Sequence, residues 1–268
     1  MAGTNVAVMK ALDVLDLLGQ VEQGVRLKDI AVQLDLPEST THRLLASLAD
    51  RGYVQQHAEH GTYTLGWKLA VLARSLGSDA RLVQNMRPYL DQLVRQLGQT
   101  INLAVLSNDR VMYLDCQTPS LSLALYVAPG MTLPVHATSL GKNLLANLPE
   151  AEREALLDRI VLAPLTPNTV TDKDRFRAIL DQVRDQGYAL DLGELKPNVC
   201  CVAAPILDDS GRARAAISMT APRAELPDDW EQTFPPVITS VAREASRTLF
   251  DAQLPVDGTR TAAGVGST

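Results

Sequence analysis

The stretch "PESTTHRLLASLADRGYV" (37–54) sets Ser39, Thr40, Thr41, His42 and Arg43 side by side at the start of a helix-like pattern. Hydroxyls there can meet phosphates or base edges, and an arginine can hold a guanine through two parallel hydrogen bonds. Lys28, on the segment just ahead, joins them as a phosphate-seeking cation. The same residue types also cap ordinary surface helices, so their chemistry alone leaves both uses open. A second group lies far along the chain. Cys201 in "VCCVAAPIL" and Ser218 and Thr220 in "RARAAISMT" fall on alternating segments. Residues two apart on a strand share a face, so a thiol and two hydroxyls make a polar patch on an otherwise apolar sheet. Two such hydroxyls can donate to one pair of ligand oxygens. Ser139 sits near the start of another helix, where free amides favour an anion. Cys200 and Cys201, with His136, allow an alternative: a thiol-based sensor or enzyme. That needs a base within hydrogen-bond reach and an electropositive setting, whereas the apolar run around the two cysteines favours inert thiols.

The elements that must position these groups are legible in the periodicity. From about Asn5 to Gly19, Val8, Leu12, Leu15 and Leu18 form one helical stripe; "RLKDIAVQLDL" repeats it with Leu27, Ile30, Ala31 and Leu34. Pro37 then admits a fresh helix to about Asp50, with Thr41, Leu44, Leu45 and Leu48 inward and Gly52 as its stop. That arrangement turns Ser39, Thr40 and Arg43 outward and leaves His42 at the margin. "YVQQ" and "TYTL" flank the turn-like "HAEHG" as a two-stranded ribbon. Helix, helix, helix and hairpin make a helix-turn-helix with a wing, a shape that fits a helix into the major groove. "GWKLAVLARSLG" and "LVQNMRPYLDQLVRQLG" read as connecting helices, with a hinge near Gly77 and Ser78.

Beyond the hinge, "TINLAVL" with "RVMYLDC" and "VCCVAAPIL" with "RARAAISMT" read as antiparallel hairpins, and "LSLALYV" as a further strand. Helices fall near 138–148, 150–159 and 172–187 and from about Asp229 to Ala252, giving an α+β domain. Residues 1–77 and 78–252 are the two expected domains, and 253–268 a disordered tail.

At 268 residues, 46% hydrophobic and 21% charged, the chain can build packed cores, and 4% aromatic residues argue against a stacking platform for single strands. A net charge of −6 excludes wholesale coating of nucleic acid. The first 75 residues carry seven Lys or Arg against eight Asp or Glu, so DNA binding there would rest on geometry. Neither a leader-like segment nor a run long enough for a membrane span is present, so a cytoplasmic protein with reduced thiols is expected. Four scattered histidines, His57 and His60 among them at the ribbon turn, give no metal-ligand spacing.

"LKDIAVQLDLPESTTHRLLASLADRGYV" resembles the winged helix-turn-helix of the isocitrate-lyase-regulator (IclR) family of bacterial transcription factors. "LPVHATSLGKNLLANLP", "TPNTVTDKDRF" and "VRDQGYALDLGELKPNVCCVAAPILDDSGRARAAISMT" resemble successive blocks of that family's effector-binding domain. The resemblance implies a winged helix-turn-helix joined by a linker helix to an α+β, GAF/PAS-like domain on an antiparallel sheet. It also implies a non-enzymatic repressor without a cofactor, bound to operator DNA as a homodimer or dimer of dimers and answering to a small metabolite. Carried over position by position, it assigns Leu133, Ser139, Leu140, Asp191, Cys201, Ser218 and Thr220 to the effector cavity. Thr138, Ser139 and Leu140 stand where relatives have smaller residues before the Gly-Lys pair, which narrows the expected pocket.

Overall fold

The computed structural model describes residues 5–21, 23–57, 59–76, 81–119 and 127–250. The chain divides into two compact units, Met1–Leu82 and Val83–Thr268. The hinge expected at Gly77 and Ser78, most of the strand expected in "LSLALYV" and the tail 253–268 lie outside the described residues.

In the first unit α1 (Val6–Gly19) is opened by Asn5, whose Oδ1 accepts from the amides of Ala7 and Val8 at 3.1 and 3.4 Å. Its buried residues are Val14 and Leu18, whereas Val8 and Leu12 of the expected stripe are exposed. The small core, built on Val14, Leu18, Val25, Ile30, Leu45, Val54 and Tyr63, reaches only the C-terminal half of α1. A two-residue strand β1 (Val25–Arg26) leads into α2 (Leu27–Gln33), and α3 (Glu38–Asp50) follows a turn through Asp35, whose φ is 49°. Gly52, at φ 76°, takes the left-handed conformation that ends α3 and turns the chain into the ribbon of β2 (Val54–His57) and β3 (Thr62–Leu65). The sheet order is β1-β3-β2. β1 is too short to show an alternation, so periodicity does not reveal it. The ribbon is followed by α4 (Trp67–Ala73) and a single 3₁₀ turn.

The second unit begins with α5 (Leu82–Leu97), then β4 (Thr100–Ser107), β5 (Arg110–Gln117) and the short β6 (Thr132–Pro134). Helices α6 (Ser139–Ala146), α7 (Glu150–Arg159) and α8 (Lys173–Gln186) come next. β7 (Ala189–Leu192), β8 (Val199–Leu207), β9 (Ala213–Pro222) and α9 (Trp230–Phe250) complete it. All six strands form one antiparallel sheet in the order β6-β5-β4-β9-β8-β7. The two hairpins read from the sequence are thus joined along β4 and β9.

The pairing register fixes which side chains share a face. One rung runs Asp191, Cys201, Thr220, Thr100; the next, two residues along, runs Ala203, Ser218, Asn102. Small residues Ala104, Ala203 and Ala216 on this face share a core cluster with Leu140, Leu144 and Leu145 of α6. α9 packs against β8 and β9, tied by the Ser246 hydroxyl, which accepts from the Leu207 amide at 3.0 Å.

Candidate functional site

Two sites emerge, one in each unit. In the first, α3 presents Ser39, His42 and Arg43 to solvent, with Thr40 half-buried and Lys28 exposed on α2. Thr41, counted among the nucleic-acid contacts, is a correction: it is fully buried, and its hydroxyl donates to the Pro37 carbonyl at 3.2 Å. A group spent on its own helix start, on the core side of α3, has nothing left for DNA. The Arg43 carbonyl accepts from the Ser47 hydroxyl at 2.9 Å, and among the described residues its exposed guanidinium has no hydrogen-bond or ion-pair partner. His57 is held on the ribbon by a 2.9 Å hydrogen bond to Thr64, and His60 is an exposed turn residue. An exposed helix start with hydroxyls and one arginine beside a ribbon matches the docking geometry of winged readers of the major groove.

In the second unit a narrow cavity lies between the sheet face and the start of α6, with about 520 Å³ of atom-free space, part of it open to solvent. The seven residues expected there, Leu133, Ser139, Leu140, Asp191, Cys201, Ser218 and Thr220, all line it. Thr100, Asn102, Tyr113 and Lys196 line it as well and were not foreseen. The alternation of "TINLAVL" places Thr100 and Asn102 on one face, but only the β4–β9 register brings them beside Ser218 and Thr220.

α6 enters the cavity by its N-terminus. Thr138 caps it, accepting from the Gly141 amide at 3.0 Å and donating to the Pro134 carbonyl at 3.2 Å. The Ser139 and Leu140 amides, which no helix turn can satisfy, remain as donors at that end. Gly141 permits the approach, since a Cβ there would lie 2.1 Å from the Val135 carbonyl oxygen. On the sheet floor the Asn102 amide nitrogen donates to Ser218 at 3.3 Å and to Thr220 at 3.2 Å. Thr220 in turn donates to the Cys201 sulfur at 3.3 Å, so of the two hydroxyls only Ser218 keeps a proton without a protein acceptor.

Asp191 is 2% exposed, and burial pushes its carboxyl up to about 6, against the opposing pull of the Glu194 amide and the Lys142 charge. The Glu194 amide donates to Asp191 at 2.7 Å. Lys142 is buried; it donates to the Leu190 carbonyl at 2.8 Å and to the Glu194 carboxylate. Thr166 and Thr169 of the "TPNT" motif donate to the carbonyls of Gly193 and Glu194, both at 2.7 Å. They thereby hold the loop that carries Leu195 and Lys196 to the cavity.

The thiols do not form a reactive centre. Burial pushes both Cys200 and Cys201 up from the ordinary thiol value, reinforced by the Asp191 charge. His136 is buried, with its Nε2–H donating to the Ala163 carbonyl at 3.0 Å. Protonated thiols without a free base lack what nucleophilic chemistry requires.

The comparisons with known proteins agree with this division of labour. Residues 7–58 match the IclR helix-turn-helix domain, and residues 75–247 match the bacterial transcriptional regulator IclR C-terminal domain. The chain is 35% identical over 222 residues to the HTH-type transcriptional regulator XynR of Escherichia coli, covering 83% of this chain and 88% of that one. It is 32% identical over 247 residues to the transcriptional repressor IclR of Escherichia coli, covering 91% and 90%. Among solved structures it resembles an IclR homologue from Microbacterium hydrocarbonoxydans complexed with 4-hydroxybenzoate. That match has a TM-score of 0.68 at 25% identity and covers 91% of this chain and 98% of the other. These relatives are named as regulators and a repressor, not as enzymes. A winged reader in one unit, an effector domain in the other and family matches over both place this chain in the IclR family of bacterial transcriptional regulators.

Proposed function

We propose that this chain is a repressor that binds a two-fold-related operator as a dimer, and that a small carboxylate held at the start of α6 alters that binding. The observation that carries the effector reading is the convergence on one cavity of Ser139 and Leu140, at the start of α6, with Ser218, whose hydroxyl proton has no protein acceptor. Amides at a helix start and an added hydroxyl are what an anion seeks, while Leu133 and Leu140 cover an apolar remainder. The relative bound to 4-hydroxybenzoate, itself a carboxylate, supports the class. The relative named a repressor supports the sign. Dimerisation answers the weak charge of the reader, because linking two weak readers raises their effective affinity.

The test pairs small carboxylates with their amide or ester forms, read by calorimetry and by release of operator DNA. The acids should bind and the acid-free forms should not, and Ser218→Ala should weaken acid binding by about 2 kcal/mol. Acid-free forms binding as tightly as the acids would show a pocket that reads shape and not charge.

A further inference from the structure

Asn102 is 1% exposed and lines the cavity from the middle of the sheet. Both hydrogen bonds of its amide nitrogen go to the neighbouring strand, to the Ser218 and Thr220 hydroxyls. Because Thr220 passes its own proton to the Cys201 sulfur, its oxygen is free to receive the amide N–H, and in that arrangement the amide oxygen is left as an acceptor. This oxygen is buried and has no hydrogen-bond partner. Nearly all buried polar atoms are paired, so an unpaired carbonyl on a cavity wall marks a place where something else is meant to donate. On the same face, one rung away, Asp191 accepts from the Glu194 amide and adds a further acceptor to the wall. The sheet side of the cavity therefore carries two acceptors, the Asn102 oxygen and the Asp191 carboxyl, and a simple acid with a hydrocarbon remainder would leave the Asn102 oxygen unmatched.

We propose that Asn102 is a specificity-determining residue, whose Oδ1 accepts a hydrogen bond from a ligand hydroxyl, so that the ligands of this cavity are small hydroxylated carboxylates. This rests on the carboxylate reading of the same cavity: the acid faces the start of α6 and the hydroxyl faces β4. A site built to hydrogen-bond a hydroxyl discriminates against the analogue that lacks it, because the protein group is then left buried and unpaired.

The experiment uses the whole chain and matched compounds that differ at one group, read by calorimetry. The series are propionate, lactate and 2-methoxypropionate; butyrate, 4-hydroxybutyrate and 4-methoxybutyrate; and benzoate, 4-hydroxybenzoate and 4-methoxybenzoate. Propane-1,2-diol, butane-1,4-diol and 4-hydroxybenzyl alcohol supply the hydroxyl without the acid. In at least one series the hydroxy acid should bind about ten-fold or more tightly than both its parent acid and its methyl ether. In Asn102→Leu that preference should fall to about two-fold or less. The analogue comparison uses the unaltered chain, so it stands even where the variant does not fold. Parent acids that bind as tightly as their hydroxy forms overturn the role of Asn102, as a water satisfying the same oxygen would predict, and leave the carboxylate reading intact. Methyl ethers that bind best overturn it too, because the amide then presents its N–H. Diols that bind as tightly as the hydroxy acids support Asn102 and overturn the carboxylate reading. No binding by any hydroxylated compound overturns the proposal.

Discussion

Asp191 shows how one buried residue sets a pH dependence. Its folded-state pKa of about 6 lies above the ordinary 3.8, so the folded protein binds this proton more readily than the unfolded chain does. Stability from this group is therefore greatest at low pH and is lost as pH rises from about 4 to about 6, where the buried carboxylate must ionise. The full cost, about 3 kcal/mol, then stands at neutral pH. Asp191→Asn keeps an oxygen for the Glu194 amide and removes the charge. Its melting temperature should exceed that of the unaltered chain at pH 8, with the gap closing as pH falls toward 4. A gap independent of pH would show that ionisation of Asp191 is not what limits stability. Lys142 and Glu194, also buried, face each other, and such a pair holds geometry more than it adds net stability.

At the level of elements, α3 and α6 use their N-termini in opposite ways. The start of α3 is bare: Pro37 offers no side-chain cap, Ser39, His42 and Arg43 are exposed, and only Thr41 turns back into the core. The start of α6 is buried against a sheet, capped by Thr138 and entered closely enough that Gly141 has no room for a side chain. An exposed start can enter a groove in a large polymer; a buried one can receive only a small ligand. Arg43 is the basic residue at the exposed start of α3, so Arg43→Ala should weaken operator binding by about 1–3 kcal/mol and relax preference at one base pair. Mobility shifts on operator variants read both effects; unchanged affinity and preference would remove Arg43 from the interface.

At the level of the whole molecule, the reader and the cavity belong to different compact units, each with its own core cluster. Separate cores imply separable folding. A fragment beginning at Asp79 should fold cooperatively and bind the same carboxylates as the full chain, with no affinity for operator DNA. An insoluble fragment, or one that has lost ligand binding, would mean that the first unit contributes to the second unit's stability or cavity. Among the described residues no helix is long and apolar enough to cross a membrane.

Local pattern determined much of this protein. The 3.6-residue stripes located α2 and α3, the alternation located β2 to β5, β8 and β9, and Gly52 and Pro37 marked the ends around α3, because these features depend on neighbours a few residues away. The polar set Cys201, Ser218 and Thr220 was legible for the same reason: strand alternation alone puts Ser218 and Thr220 on one face. What local pattern could not decide was pairing between distant strands. Asn102 is 116 residues from Ser218 in sequence and one strand away in the sheet, so its place in the cavity lining came only from the β4–β9 register. Burial was equally illegible. Val8 and Leu12 continue a good stripe yet lie exposed because the core of the first unit ends before reaching them, while Lys142 has a surface residue's chemistry yet is buried against Glu194. Whether a side chain meets water, core or an opposite charge depends on what else packs there, and that is a property of the tertiary structure.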